Sequence, residues 1–302
     1  MYEKILVPLD GSQLSEQVLP YARVLTANLK IPVELLHVID LEPPRALSPE
    51  QEVQRQSLIT AEYAKSMEYL KEIAATFAEP GAVNCAIEID KPAEAIIDRA
   101  ANLRALIAMS THGRSGINRW LLGSVADKVL HAATNPLLLL RTAEEAANSD
   151  IHPLKQIMVA LDGSPLAETV LPYAAELARK IGLKLILTRV FSVPVTTFAE
   201  EYPPYVQELW DEVEKETNDY LNEKAREIKA QGIPEVATQA VAGFASEKLI
   251  ELAHESGHTL MAMCTHGRSG VNRWVLGSVT DRVVRHVVGP VLIIRAPRIE
   301  EP

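Results

Sequence analysis

Apolar and polar positions follow two alternating periods along this chain, and the periods trade places in a regular order. Ile5 to Leu9 is a short, nearly continuous apolar run, the pattern of a strand buried on both faces. Leu14, Val18, Tyr21, Ala22 and Leu25 then recur at helical spacing and predict an amphipathic helix. Val33 to Ile39 predicts a second strand, Leu41 to Pro49 a proline-rich connection, and the residues after it a long helix to about Phe77. The order continues with a strand at Val83 to Ile89, a helix at Ala93 to Ala101, a strand at Ala105 to Met109, a helix at Ser124 to Ala133 and a strand at Leu137 to Leu140. Apolar strands separated by helices predict a parallel sheet covered on both faces and built from right-handed crossovers.

The whole pattern occurs twice. KILVPLDGSQLSEQVLPYA, from Lys4, returns as QIMVALDGSPLAETVLPYA, from Gln156. Thr111 to Arg141 returns as Thr265 to Arg295, with 18 of the 31 aligned positions identical. A period this long marks duplicated domains rather than a solenoid. The polar, alanine-rich stretch Thr142 to Pro153 is the natural linker. The predicted organisation is a first domain over 1–141, a linker over 142–153 and a second domain over 154–302.

Composition narrows the function classes. A formal net charge of -10 with no Lys/Arg run argues against a nucleic-acid partner, because phosphate neutralisation needs clustered cations. No apolar run approaches the roughly 20 residues needed to span a bilayer, and the N-terminus does not read as a signal peptide, so no membrane partner and a cytoplasmic location are expected. Cys85 and Cys264 are the two cysteines, read as buried reduced thiols rather than a disulfide or zinc scaffold.

In an open parallel sheet, ligands sit beyond the carboxyl ends of the strands where the strand order reverses. That rule directs attention to Asp10 and the segment from Ser110 to Ser124, and to Asp162 and the segment from Cys264 to Ser278. Gly113, Arg114 and Gly116 follow a strand, and Gly123-Ser124 opens a helix. Such a segment can cradle an anion, since glycine lets backbone N–H groups approach an oxygen and the first helical turn carries unpaired donors. Arg114 adds charge-assisted bonds, and Ser124 either caps the helix or donates to a phosphate. Gly267, Arg268, Gly270, Gly277 and Ser278 repeat the set. Taken alone, a glycine-rich turn before a helix is also what a purely structural connection looks like.

On these residues both halves resemble the universal stress protein family, across essentially all of the chain except the linker. ATP-binding members carry Gly-x2-Gly-x9-Gly-Ser/Thr, whose second and third glycines and final hydroxyl fall on Gly113, Gly123 and Ser124, and again on Gly267, Gly277 and Ser278. The resemblance implies two tandem five-stranded, Rossmann-like domains of the adenine nucleotide alpha hydrolase type. It further implies that Asp10 and Asp162 meet the ribose and that the backbone of Val38 and Val190 meets adenine. The motif's first glycine is Ser110 in one half and Cys264 in the other, which a positive-φ requirement would disfavour. A further family glycine is kept as Gly243 but is Asp90 in the first half, where a carboxylate facing a triphosphate would repel it unless a metal or Lys91 compensates. On that difference the second site is expected to be the better nucleotide binder.

Several residues invite sharper roles than they need. His112 and His266 read as loop histidines rather than general bases, with no orienting carboxylate at suitable spacing. Asp10 and Asp162 in Asp-Gly-Ser also read as helix caps. Trp120 and Trp274 read as core or interface anchors. Tyr202 to Trp210 reads as a docked helix start, or else as a lid or partner site. The expected function is an adenine-nucleotide sensor or switch binding ATP, ADP or AMP, with or without Mg2+, and without catalytic residues or a protein-held metal. A nucleotide-free dimerisation scaffold and a slow ATPase are the alternatives. The final strands, Leu137–Leu140 and Val291–Ile294, are expected to pair the two halves as an internal pseudo-dimer, with a homodimer of whole chains as a further arrangement.

Overall fold

The computed structural model describes residues 2–41, 48–111, 122–141, 154–193, 203–265 and 276–295. The chain divides into two compact units, 1–149 and 150–302.

In the first unit the strands are β1 (Lys4–Pro8), β2 (Val33–Ile39), β3 (Val83–Ile89), β4 (Ala105–Ser110) and β5 (Leu137–Arg141). Their spatial order is β3-β2-β1-β4-β5, and every described pairing is parallel, with Ile5 opposite both Val33 and Leu106. The chain winds outward from β1 to β3, then crosses back to place β4 on the other side of β1. The order therefore reverses between β1 and β4, where two crossovers leave in opposite directions and open a crevice. Ile5, Leu6, Leu35, Leu106 and Ile107 are fully buried, as the continuous apolar runs predict.

The helices are α1 (Gln13–Glu16), α2 (Leu19–Leu29), α3 (Pro49–Ala74), α4 (Pro92–Leu103) and α5 (Ser124–Ala132). The single amphipathic helix expected after β1 is two helices, broken ahead of Pro20. Proline lacks an N–H and clashes with the preceding turn, so it is accepted in the first turn of α2 and not in the interior of a longer helix. Ser48 and Gln51 form a reciprocal capping box at the start of α3, with Pro49 just inside it.

The second unit repeats the plan with β6 (Gln156–Leu161), β7 (Lys184–Phe191), β8 (Val236–Ala242), β9 (Thr259–Cys264) and β10 (Gly289–Ile294) in the order β8-β7-β6-β9-β10. Its described pairings are likewise parallel. Its helices are α6 (Pro165–Glu168), α7 (Leu171–Ile181), α8 (Pro203–Ala230), α9 (Ala245–Ser256) and α10 (Ser278–His286). Trp210 of α8, the last residue of the aromatic segment that the sequence singled out, meets the Phe191 ring edge-on at 5.8 Å. Both cysteines are free thiols. Cys264 is buried as expected, whereas Cys85, on the rim strand β3, is only half-buried. Among the described residues no helix is long and apolar enough to cross a membrane.

Candidate functional site

Each site begins with the turn that ends the first strand. Gly11 and Gly163 hold φ of 78° and 85°, a left-handed bend that glycine adopts without a Cβ penalty. Ser12 Oγ accepts the Ser15 amide and Ser164 Oγ accepts the Ala167 amide, so the serines are the caps of α1 and α6. This corrects the reading of the aspartates as caps. Asp10 Oδ1 instead accepts both the Ser12 amide, at 2.9 Å, and the Ser12 hydroxyl, at 2.6 Å, and Asp162 Oδ1 accepts the Ser164 amide at 2.9 Å. The carboxylates brace the turn from the strand side, at the edge of the crevice.

On the other side of the reversal, Ser110 and Cys264 are the last residues of β4 and β9. Strand backbone is extended, and neither residue is among the positive-φ positions, so nothing at this point of the turn demands glycine. The following helix is tied back to its strand. The Gly123 amide donates to the Thr111 carbonyl at 2.8 Å, and the Gly277 amide donates to the Thr265 carbonyl at 2.9 Å. The glycine amides are thereby used by the fold. The amides without an intrahelical acceptor are those of the first turn, Ser124 to Ala126 and Ser278 to Thr280.

These pieces converge. Asp10, Val38, Ser110, Gly123 and Ser124 all line one cavity of about 470 Å³ at the carboxyl ends of β1, β2 and β4. Asp162, Val190, Cys264, Gly277 and Ser278 line an equivalent cavity of about 200 Å³ in the second unit. Gly113, Arg114, Gly116, Gly267, Arg268 and Gly270 lie outside the described residues, as do His112, His266, Trp120 and Trp274. Asp90 does not line the first cavity. It is exposed, and its carboxylate accepts the Lys91 amide at 2.7 Å. Gly243, its counterpart, sits at φ of 141°, and a Cβ there would come within 2.9 Å of Lys248 Cγ. The glycine at this position thus answers to a turn conformation that the first unit does not share. The cavity volumes run opposite to the sequence-based ranking of the two sites.

The first cavity is chemically polarised. Its β1–β2 side carries the carboxylates Asp10 and Asp40 and, from α3, Glu62, all suited to accept protons from hydroxyl or amino groups. Its α5 side presents the Ser124 hydroxyl and the first-turn amides, donors at the positive end of a helix, with Ser110 beside them at the end of β4. A ligand with hydroxyls at one end and an anion at the other fits that gradient.

Sequence reasoning missed the residue beneath the end of β2. His37 lines the first cavity, and its Nδ1–H donates to the Leu9 carbonyl at 2.9 Å, tying β2 to β1. Its ring meets Tyr69 edge-on, and the Tyr69 hydroxyl donates to Glu16 at 2.9 Å. The second unit has Arg189 in the same place, its guanidinium 5.1 Å from the centre of the Tyr220 ring, with the Tyr220 hydroxyl donating to Glu168 at 3.0 Å. The available signal was a basic residue inside an otherwise apolar strand, in LLHVI and in LTRVF.

With the geometry in place, the kinship of the chain follows from comparison. The family model described as the universal stress protein family matches twice, over residues 1–141 and 153–295. A universal stress protein of Mycolicibacterium smegmatis is 25% identical over 302 residues, covering 96% of each chain. One from Mycobacterium tuberculosis is 23% identical over 298 residues, again at 96% of each chain. Among solved structures, a universal stress protein from Archaeoglobus fulgidus superposes with a TM-score of 0.67 at 24% identity, covering 98% of this chain and 99% of that one.

Proposed function

Because both halves of this chain belong to the universal stress protein family, a family of stress-response proteins, we propose that it binds adenine nucleotide (ATP, ADP or AMP) and acts as a sensor or switch. One observation carries the reading: five residues from four separate segments line a single cavity at the strand-order reversal, and the arrangement is repeated in the second half. The polarity of the first cavity supports it, with acceptors where ribose and adenine hydroxyl and amino groups would lie and donors where phosphates would lie. In this reading any Mg2+ arrives on the phosphates. The reading is of binding rather than turnover: Asp10 braces the turn through Ser12, and its remaining lone pairs are placed to accept from a ligand hydroxyl. Two free thiols suit a reducing compartment, and we place the protein in the cytoplasm.

Titration calorimetry with ATP, ADP and AMP at millimolar ligand tests the binding, with a rise in Tm on ligand addition as the second readout. Replacing Gly123, Ser124, Gly277 and Ser278 together by bulky apolar residues is expected to abolish it. Absence of heat and of a thermal shift with all three nucleotides would leave the scaffold reading in its place. Sustained ATP hydrolysis above roughly 1 s⁻¹, the lower end of ordinary enzymes, would make the protein an ATPase instead.

The pairing of the two halves remains a proposal that rests on strand sequence. PLLLLR and PVLIIR are uninterrupted aliphatic runs on rim strands, which proteins usually cover or pair. Leu139→Pro or Ile293→Pro removes a ladder donor and should lower Tm and the yield of crosslinks between the halves. Unchanged crosslinking in both variants would refute the pairing.

A further inference from the structure

The two cavities differ at the end of β2, where His37, Asp40 and, from α3, Glu62 add to the lining of the first, and in two pairs of equivalent side chains beside the helix that follows the fourth strand. At the end of the fourth strand of each unit, Ser110 stands where the second unit has Cys264. On the first turn of the following helix, Ala126 stands where the second unit has Thr280, whose hydroxyl donates to the Cys264 carbonyl at 3.0 Å and so lies across the strand end. Sulfur in place of oxygen and a threonine in place of an alanine both take space from the second cavity. Its volume of about 200 Å³ falls below the roughly 300–1,000 Å³ of ordinary small-molecule sites, whereas the first, at about 470 Å³, falls within that range.

The same two positions differ in what they leave unsatisfied. Ser110 is 8% exposed and lines the first cavity, yet its Oγ has no hydrogen-bond partner. A buried hydroxyl without a partner destabilises the fold, so an orphan on a cavity wall marks a place where something outside the chain completes the bonding. Cys264 has no such deficit. Its Sγ lies 3.3 Å from Thr169 Oγ1, and a buried thiol packs as a small hydrophobe.

We propose that the first cavity, and not the second, takes the nucleotide, and that the Ser110 hydroxyl donates to a phosphate oxygen held at the start of α5. This rests on the adenine-nucleotide reading above and adds to it which site is filled and by which contact. The nine-residue helix α5 supplies amides without intrahelical acceptors at Ser124 to Ala126, and Ser110 faces them from the strand end on the same cavity. Rotation about χ1 carries the hydroxyl between staggered positions without moving the backbone. Phosphate oxygens are acceptors, so a serine at this position gains a charge-assisted bond, while a thiol is a weak donor. Serine thus confers affinity at the position where its cysteine counterpart confers little.

The test is calorimetry on the full chain with ATP and with ADP, together with photolabelling by 8-azido-ATP and mass spectrometry of the labelled peptides. The expected results are one nucleotide per chain, label confined to 1–141, and affinity weakened about tenfold or more by Ser110→Ala. Carrying the second site's residues into the first, as Ser110→Cys with Ala126→Thr, should abolish binding. The reverse exchange, Cys264→Ser with Thr280→Ala, should raise the stoichiometry towards two. Circular dichroism and thermal unfolding establish that each variant is folded, and labelling of the unaltered chain decides the matter if a double variant is not. Label in 153–295, or two equivalent sites, overturns the assignment while leaving nucleotide binding intact. No heat and no label with either nucleotide overturns both.

Discussion

The Arg189 guanidinium lies over the ring of Tyr220, 5.1 Å from its centre, while the hydroxyl of that ring donates to Glu168. Lys224 approaches the same carboxylate at 3.1 Å, so a cation, a ring, an anion and a second cation follow one another where β7, α6 and α8 meet. Burial, followed by the hydrogen bond to Glu168 and its charge, pushes the Tyr220 phenol above its ordinary value, and Arg189 only partly opposes this. A phenol whose folded pKa is raised contributes stability that is complete below its unfolded value of about 10 and is lost as pH rises beyond it. Unfolding midpoints measured from neutral to strongly alkaline pH should therefore fall more steeply above about pH 10 in the native chain than in Tyr220→Phe. Parallel slopes would mean that Tyr220 ionises as it does in the unfolded chain.

A second expectation comes from comparing the two copies at the end of their second helices. Lys30 closes α2 at φ of 55°, in the left-handed region, where α7 closes on Gly182 at φ of 77°. Both amides make the same bond back to the helix, to Thr26 and to Ala178, at 2.9 Å each. The Cβ of a lysine is unfavourable there, so Lys30→Gly should stabilise the protein by about 0.5–1 kcal/mol despite the flexibility that glycine adds to the unfolded chain. Denaturant unfolding with an unchanged m-value reads this directly. A loss of stability would show that the lysine side chain contributes more than its backbone costs.

Strands were the most legible part of this chain, and the reason is physical. Val33–Ile39 and Val83–Ile89 have the limits expected of them because each is a mostly apolar, β-branched-rich stretch that stops at an aspartate, Asp40 or Asp90. The break between α1 and α2 was hidden, since Leu14, Val18, Ala22 and Leu25 keep helical spacing across it and only Pro20 and the cap at Ser12 betray it. Asp10, Val38, Ser110, Gly123 and Ser124 could be named together because strand ends in a reversed parallel sheet converge whatever their composition, whereas His37, Asp40 and Glu62 could not. Which cavity is roomier could not be read either. That depends on how far the lining runs, to His37, Asp40 and Glu62 in the first unit, and on single side chains such as Ala126 against Thr280, whose volumes matter only once they face the same space. The orphan Ser110 hydroxyl is equally invisible in sequence, because a missing partner is a property of the surroundings.

The last expectation concerns an ion network that one copy has and the other lacks. Glu34, on β2, is 3% exposed and is paired with Arg99 Nε at 2.5 Å and Lys4 Nζ at 3.2 Å, while Arg99 also reaches Glu88 at 3.3 Å. At the equivalent positions the second unit has Ile186, Leu252, Gln156 and Val241, an uncharged version of the same packing. Burying a carboxylate is costly, and its partners offset that cost only while all are present. Arg99→Leu should therefore destabilise strongly, by about 2–3 kcal/mol, a figure kept below the full buried-pair range because Arg99 is a third exposed. Transplanting most of the second unit's solution, Glu34→Ile with Glu88→Val and Arg99→Leu, removes the buried carboxylate together with Arg99 and Glu88 and leaves Lys4 at the start of β1. The triple variant should recover to within about 1 kcal/mol of the native chain or exceed it. Urea unfolding of the single and triple variants separates the two cases. If the triple variant is no more stable than Arg99→Leu, the network contributes net stability of its own, and the two copies are not interchangeable solutions to the same packing.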